Sequence, residues 1–144
     1  MKKYVVGVAA ALLASVSFAA EIDGTSWRTT DDETGKPKAI VKFQKQSNGT
    51  YSASIQELLD PNAKTVCTEC KGNQKNKPMV GLQVVTGLKQ VKPNQFEGGS
   101  ILDPKKGKTY KLSGELKNNA KTFDLRGYIG ISLAGRTQTW QRVN

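Results

Sequence analysis

Apolar and polar residues alternate along most of the chain, in short runs that turn-forming residues separate. In residues 39–43, and again in residues 51–55, every second side chain is apolar. Alternation with a period of two is typical of a strand with one buried face. Asn48-Gly49 lies between the two runs, and this dipeptide suits the positive φ angles of a tight hairpin. The pattern therefore predicts paired antiparallel strands.

The same arrangement continues to the C-terminus. Further alternating runs span residues 82–88, 96–102, 110–116 and 123–129, and a last run ends near Trp140. About eight strands at a spacing of roughly ten residues are typical of a closed meander. Closure removes exposed sheet edges and leaves room for side chains or one small ligand. We therefore predict an all-β fold, a small antiparallel up-and-down β-barrel of about eight strands, with a β-sandwich as the alternative.

Residues 58–80 show no clear alternation of apolar and polar residues, and they contain the two cysteines of the chain, Cys67 and Cys70. Structural zinc needs four ligands, and this chain has neither a second pair nor a histidine. A thioredoxin-like redox pair belongs to a βαβ unit, which the pattern lacks. A four-residue turn brings its ends close enough for a disulfide, and an oxidising compartment preserves one. We predict a local Cys67–Cys70 disulfide and no metal site.

The N-terminal residues predict export. Met1-Lys2-Lys3 precedes a short apolar run, and small residues follow at Ser17 and Ala19. These are the three parts of a secretory signal peptide, and the apolar run is too short to span a bilayer. We predict a signal peptide over residues 1–19, a single β-barrel domain over residues 20–144, and a periplasmic or secreted location.

Charge and composition narrow the function classes. The chain carries a net charge of +10, about +8 after removal of the signal peptide, which favours anionic partners. The lysines are scattered and do not interleave with aromatic residues, so nucleic acid is not expected. Without histidine the common Ser-His and Cys-His pairs are absent. We therefore expect a non-enzymatic protein with no cofactor.

Two segments of the last third carry a family resemblance: "GGSILDPKKGKTYKLSGEL" (98–116) and "LRGYIGISLAGRTQTWQRV" (125–143). With a tryptophan near the mature N-terminus and a cysteine pair midway, the chain resembles the bacterial secreted family known as domain of unknown function 2147. The match covers essentially the whole mature chain. This resemblance implies a small exported β-domain and no established activity.

A second similarity is to lipocalin-like barrels, which pack an N-terminal tryptophan against an arginine of the final strand. That similarity implies that Trp27 and Arg142 close the barrel, with the guanidinium group over the indole ring.

The C-terminal segment also offers a candidate ligand site. One interpretation is structural: the segment closes the barrel, with Phe123, Leu125, Gly127 and Ile129 facing inward and the glycines allowing the strand to bend. The other makes five polar and aromatic residues a binding surface for an anionic glycan or lipid: Arg126, Tyr128, Arg136, Gln138 and Trp140.

Three functions remain open from the sequence. The first is an exported barrel that binds a small apolar or amphipathic molecule, or a component of the cell envelope. The second is an envelope interaction module that acts through the loop with the disulfide. The third is an enzyme, either a thiol oxidoreductase or a glycan hydrolase that uses a pair of carboxylates.

Overall fold

The computed structural model describes residues 21–130 and 135–144. Eight strands follow one another along the chain, and their bounds are β1 Ser26–Thr30, β2 Pro37–Lys45, β3 Tyr51–Leu58, β4 Gln83–Lys92, β5 Gln95–Asp103, β6 Lys108–Lys117, β7 Thr122–Tyr128 and β8 Gly135–Arg142. The predicted signal peptide, residues 1–19, lies outside the described residues.

Each strand pairs with the next in antiparallel fashion, and β8 pairs with β1 to close the barrel. Trp27 lies opposite Arg142 at this closing seam. The predicted up-and-down barrel of eight strands is thus confirmed, and the sandwich alternative is wrong. Closure satisfies the backbone groups that the edges of an open sheet would expose.

The up-and-down order of the strands determines which turns lie at each end of the barrel. The β1–β2, β3–β4 and β5–β6 connections lie at one end, which we call the upper end, together with the end of β7 and the start of β8. The three remaining turns lie at the lower end, together with residues 21–25, whose Ile22 side chain is buried.

The connection between β3 and β4, residues 59–82, has an internal structure of its own. Val66 and Pro78 form an antiparallel bridge, and the Cys67 amide donates to the Lys77 carbonyl oxygen at 2.8 Å. A short 3-10 helix, Gly72–Gln74, lies between the two arms. The loop that the sequence predicts as irregular is therefore a compact flap with its own backbone hydrogen bonds.

The core fills the lower half of the barrel with aromatic rings. Phe123 lies at its centre, with its ring centroid 5.3 Å from that of Trp27, 5.7 Å from that of Phe43 and 5.2 Å from that of Phe96. Gly114 makes room for it, because a β-carbon there would stand 2.6 Å from Phe123 Cε1. Since the rings occupy the lower half, the cavity described below lies above them.

Candidate ligand cavity

A cavity of about 460 Å³ occupies the upper half of the barrel. Its deep walls are apolar and come from seven strands, because the alternating positions of each strand point inward. The apolar residues of these walls are Ala39, Val41, Ile55, Val84, Ile101, Leu102, Leu112, Leu125 and Trp140. This lining provides an interior suited to an apolar molecule rather than to ions or water.

Trp140 separates the cavity from the aromatic core. Its ring centroid lies 6.2 Å from that of Phe43, and only 3% of the residue is exposed. Its indole N–H donates to Gln138 Oε1 at 2.9 Å, and Gln138 Nε2 donates in turn to Asp32 Oδ1. This chain of hydrogen bonds satisfies the buried indole and ties the β1–β2 turn to β8.

Charged side chains surround the upper opening of the cavity. Lys38 at the start of β2, Lys106 in the β5–β6 turn and Arg136 at the start of β8 contribute positive charge. Asp32 and Asp103 contribute negative charge to the same rim. The site therefore combines an apolar interior with a charged entrance.

Two turns on opposite sides of the rim are joined by ion pairs. The β1–β2 and β5–β6 turns are four strands apart in the closed ring of eight, yet Lys105 Nζ lies 3.9 Å from Asp31 Oδ2 and 3.7 Å from Glu33 Oε2. The backbone amides of Thr34 and Glu33, helped by Lys105, hold the pKa of Asp31 below its usual value. Asp31 therefore stays charged at neutral pH, and the two turns are joined across the entrance.

The disulfide supports one of these two turns from outside. Cys67 and Cys70 are bonded, with their Cα atoms 5.3 Å apart, and both residues are buried. Cys67 Sγ lies 3.7 Å from the Pro104 carbonyl oxygen, and the Glu69 carbonyl group lies against Gly107. The stapled flap therefore packs on the β5–β6 turn, which carries Lys105 and Lys106.

The structure separates the five candidate ligand residues into two groups. Arg136, Gln138 and Trp140 line the cavity. Arg126 and Tyr128 alternate with inward-facing residues of β7 and point to the outer side, where Arg126 Nη1 donates to Thr137 Oγ1 at 3.3 Å. The period of two on a single strand, β8, explains why the first three share a face.

Trp27 and Arg142 meet at the lower end of the barrel. Arg142 Cζ lies 5.9 Å from the Trp27 ring, and Arg142 Nε donates to the Asn144 carbonyl oxygen at 2.9 Å. The Trp27 indole N–H donates to Thr25 Oγ1 at 2.7 Å.

Residues 21–130 and 135–144 contain no group of three or more cysteine, aspartate or glutamate side chains arranged to hold a metal ion. Across the same residues, no helix has the length and apolar character needed to cross a membrane.

The sequence of residues 25–142 matches the family model described as an uncharacterized protein conserved in bacteria, DUF2147. The chain belongs to this family. Within the solved structures, the DUF2147 barrel is similar to protein HP1028 from the human pathogen Helicobacter pylori, described as belonging to the lipocalin family. The TM-score is 0.75 at 20% sequence identity, over 87% of this chain and 84% of that one. At this identity the similarity establishes a lipocalin-like fold and nothing further. No curated protein matches the sequence significantly.

Sequence reasoning missed the remaining residues of the entrance of this DUF2147 barrel. Lys38, Asp32 and Lys106 lie in or beside turns, where charged residues are common and alternation gives no signal. The predicted up-and-down strand order could have pointed to these entrance residues, because it brings every second turn to the same end of the barrel.

Proposed function

We propose that this protein is an exported, non-enzymatic carrier that holds one small apolar or amphipathic molecule inside its barrel. The observation that carries the proposal is the apolar cavity of about 460 Å³ above Trp140. Its volume falls in the range of about 300–1,000 Å³ that is typical of small-molecule sites. Burial of apolar surface in such a cavity is the main source of binding free energy.

Export is supported by the disulfide and by the N-terminal sequence. Disulfides persist in oxidising compartments and are rare where thiols are kept reduced. Cys67 and Cys70 are bonded to each other, and Lys2 and Lys3 precede an apolar run in the sequence. Both features fit a protein that works outside the cytoplasm.

The burial of the disulfide favours a carrier over a thiol oxidoreductase. Catalytic cysteines are accessible to a partner thiol, whereas buried structural cysteines are inert. Cys67 is 0% exposed and Cys70 is 2% exposed. We therefore assign the pair to support of the β5–β6 turn.

A titration with an uncharged fluorescent probe tests the proposal. N-phenyl-1-naphthylamine becomes strongly fluorescent in apolar surroundings, and we expect one molecule to bind each barrel. Gly127 lines the cavity, and a β-carbon there would meet only ordinary contacts, 3.5 Å from Tyr110 Cβ and 3.6 Å from Ile101 Cγ2. Gly127→Leu therefore adds an apolar side chain inside the cavity, and we expect it to weaken probe binding by about tenfold or more.

Lys111→Leu is the matched control, because it adds the same side chain to the exposed outer face of neighbouring β6. Circular dichroism and the free energy of unfolding verify that both variants fold. Equal binding by Gly127→Leu and the wild type would place the probe outside the cavity. That result, or no binding of any apolar probe, would overturn the proposal.

A further inference from the structure

The acidic residues around the cavity entrance already have partners. Asp32 accepts a hydrogen bond from Gln138, and Asp103 Oδ1 accepts one from the Lys105 backbone amide at 3.0 Å. Asp31 and Glu33 pair with the Lys105 side chain. Each of these four carboxylates therefore has a partner within the protein, a cation for Asp31 and Glu33 and a neutral amide for Asp32 and Asp103.

The basic side chains of the same rim, by contrast, have no such partners within the described residues. Among residues 21–130 and 135–144, no hydrogen bond or ion pair engages the side chains of Lys38, Lys106 or Arg136. The remaining residues cannot add an acidic partner, because the sequences of 1–20 and 131–134 contain neither aspartate nor glutamate. Three cations from three separate elements thus surround one opening, and none of them makes an ion pair within the described residues.

Below these cations, the apolar walls of the cavity extend down to Trp140, which forms its floor. Arg136 lies at the rim and Trp140 at the floor, four residues along β8. A strand rises about 3.3 Å per residue, so the distance between them is about 13 Å along the strand. A molecule that satisfies both regions has a charged head at the rim and a single apolar chain of medium length.

We infer that the ligand is a single-chain amphiphile with an anionic head group. Its head lies among Lys38, Lys106 and Arg136, and its chain extends down to Trp140. The inference rests on the proposed function, since it specifies the chemistry of the molecule that the cavity holds. Complementary charge around the entrance favours an anion over a neutral or cationic head on the same chain.

Displacement of N-phenyl-1-naphthylamine by four decyl compounds tests the head group while the chain stays constant. The compounds are decanoate, decyl sulfate, decanol and decyltrimethylammonium, each below its micelle concentration. We expect both anions to bind about tenfold more tightly than decanol, and decyltrimethylammonium to bind most weakly. The advantage of the anions should shrink as salt is added, because salt screens exposed charges.

Variants locate the head group. Lys38→Gln, Lys106→Gln and Arg136→Gln should each weaken decanoate binding by about two- to fivefold, the range expected for exposed charges, and leave decanol binding unchanged. The triple variant should remove the preference for anions. Lys111→Gln, which removes the same charge from the outer wall of β6, is the control and should behave as the wild type.

The outcomes separate this inference from the proposed function. If all four compounds displace the probe equally, the inference fails and the apolar carrier stands. Tighter binding of decyltrimethylammonium would overturn it in favour of a site dominated by Asp32 and Asp103. If the probe binds but none of the four compounds displaces it, the inference also fails and the carrier stands. If the probe never binds, the carrier itself is wrong.

Discussion

The carbonyl group of Glu69 lies directly against the α-carbon of Gly107, in the space that a β-carbon would occupy. Glu69 stands between the two bonded cysteines, and Gly107 ends the β5–β6 turn. The contact joins the stapled flap to the turn that carries Lys105 and Lys106, so the geometry of the cavity entrance depends on a loop that lies outside the barrel.

Substitution of Gly107 should therefore lower the free energy of unfolding by more than its positive φ angle alone would explain. Gly107 has a φ of +67°, and a side chain there also collides with Glu69. Gly35 has a φ of +70° with open space around it, so Gly35→Ala measures the backbone cost, about 1–2 kcal/mol. We expect Gly107→Ala to lower the free energy of unfolding by at least 1 kcal/mol more, about the cost of overpacking. Equal losses in urea denaturation would contradict the contact.

Removal of the disulfide should loosen the flap and leave the barrel closed. Cys67→Ala/Cys70→Ala opens a ring of four residues, which costs about 2 kcal/mol by the chain-entropy estimate. The amides of Asn76 and Met79, which donate to the carbonyl oxygens of Cys67 and Thr65, should exchange with deuterium faster.

The amide of Phe43, which donates to the Thr25 carbonyl oxygen in the barrel, is the internal reference. Its exchange should change only as the global stability changes. Unchanged protection of the Asn76 and Met79 amides would mean that the flap does not depend on the disulfide.

Asp124 should contribute to stability at neutral pH and lose that contribution in acid. Hydrogen bonds from Thr139, at 2.6 Å, and from Lys117, at 2.9 Å, hold the pKa of Asp124 below its usual value. A carboxyl group whose pKa is lower in the folded state stabilises the fold above its unfolded pKa of about 3.9, and this stabilisation is lost as the pH falls through the folded pKa.

Asp124→Asn should therefore lower the free energy of unfolding at pH 7, by about 1 kcal/mol, because the pair is only partly buried. The difference from the wild type should vanish at a pH below the folded pKa. Glu97→Gln, which removes a carboxylate that makes no hydrogen bond or ion pair within the described residues, is the control. A constant difference for Asp124→Asn at every pH would show that the charge is not the cause.

Lys105 should control how fast a molecule enters the cavity. Its ion pairs with Asp31 and Glu33 hold two opposite turns together over the entrance. Lys105→Gln removes these pairs, so stopped-flow experiments should give faster association and dissociation of N-phenyl-1-naphthylamine with little change in affinity. Lys121→Gln, in the β6–β7 turn at the lower end, is the control. Rates that match the wild type in both variants would exclude a gating role.

The sequence predicts the barrel well because strands such as β2 and β7 bury every second residue over part of their length. The prediction of which side chains face inward fails where a strand departs from alternation. Val84 and Val85 are neighbours in β4, yet both are buried, because the β3–β4 pairing shifts register nearby. A register shift reverses which face a residue occupies, and nothing in a local apolar run reveals it.

The cavity entrance was harder to predict than the fold. Gln138 and Trp140 were found because a period of two places them on one face of one strand. Lys38 and Lys106 are 68 residues apart in sequence, and they come together only because the closed meander brings their turns to the same end. Such juxtapositions depend on strand tilt and turn conformation, which alternation does not encode.

The most direct test of the ligand cavity is a crystal structure with decanoate that carries bromine on its terminal carbon. We predict an anomalous bromine peak inside the barrel, within about 4 Å of Trp140, Val41 or Leu125, with the carboxylate near Arg136 and Lys106. A bromine peak on the outer wall, or at the rim with the carboxylate pointing inward, would contradict the account.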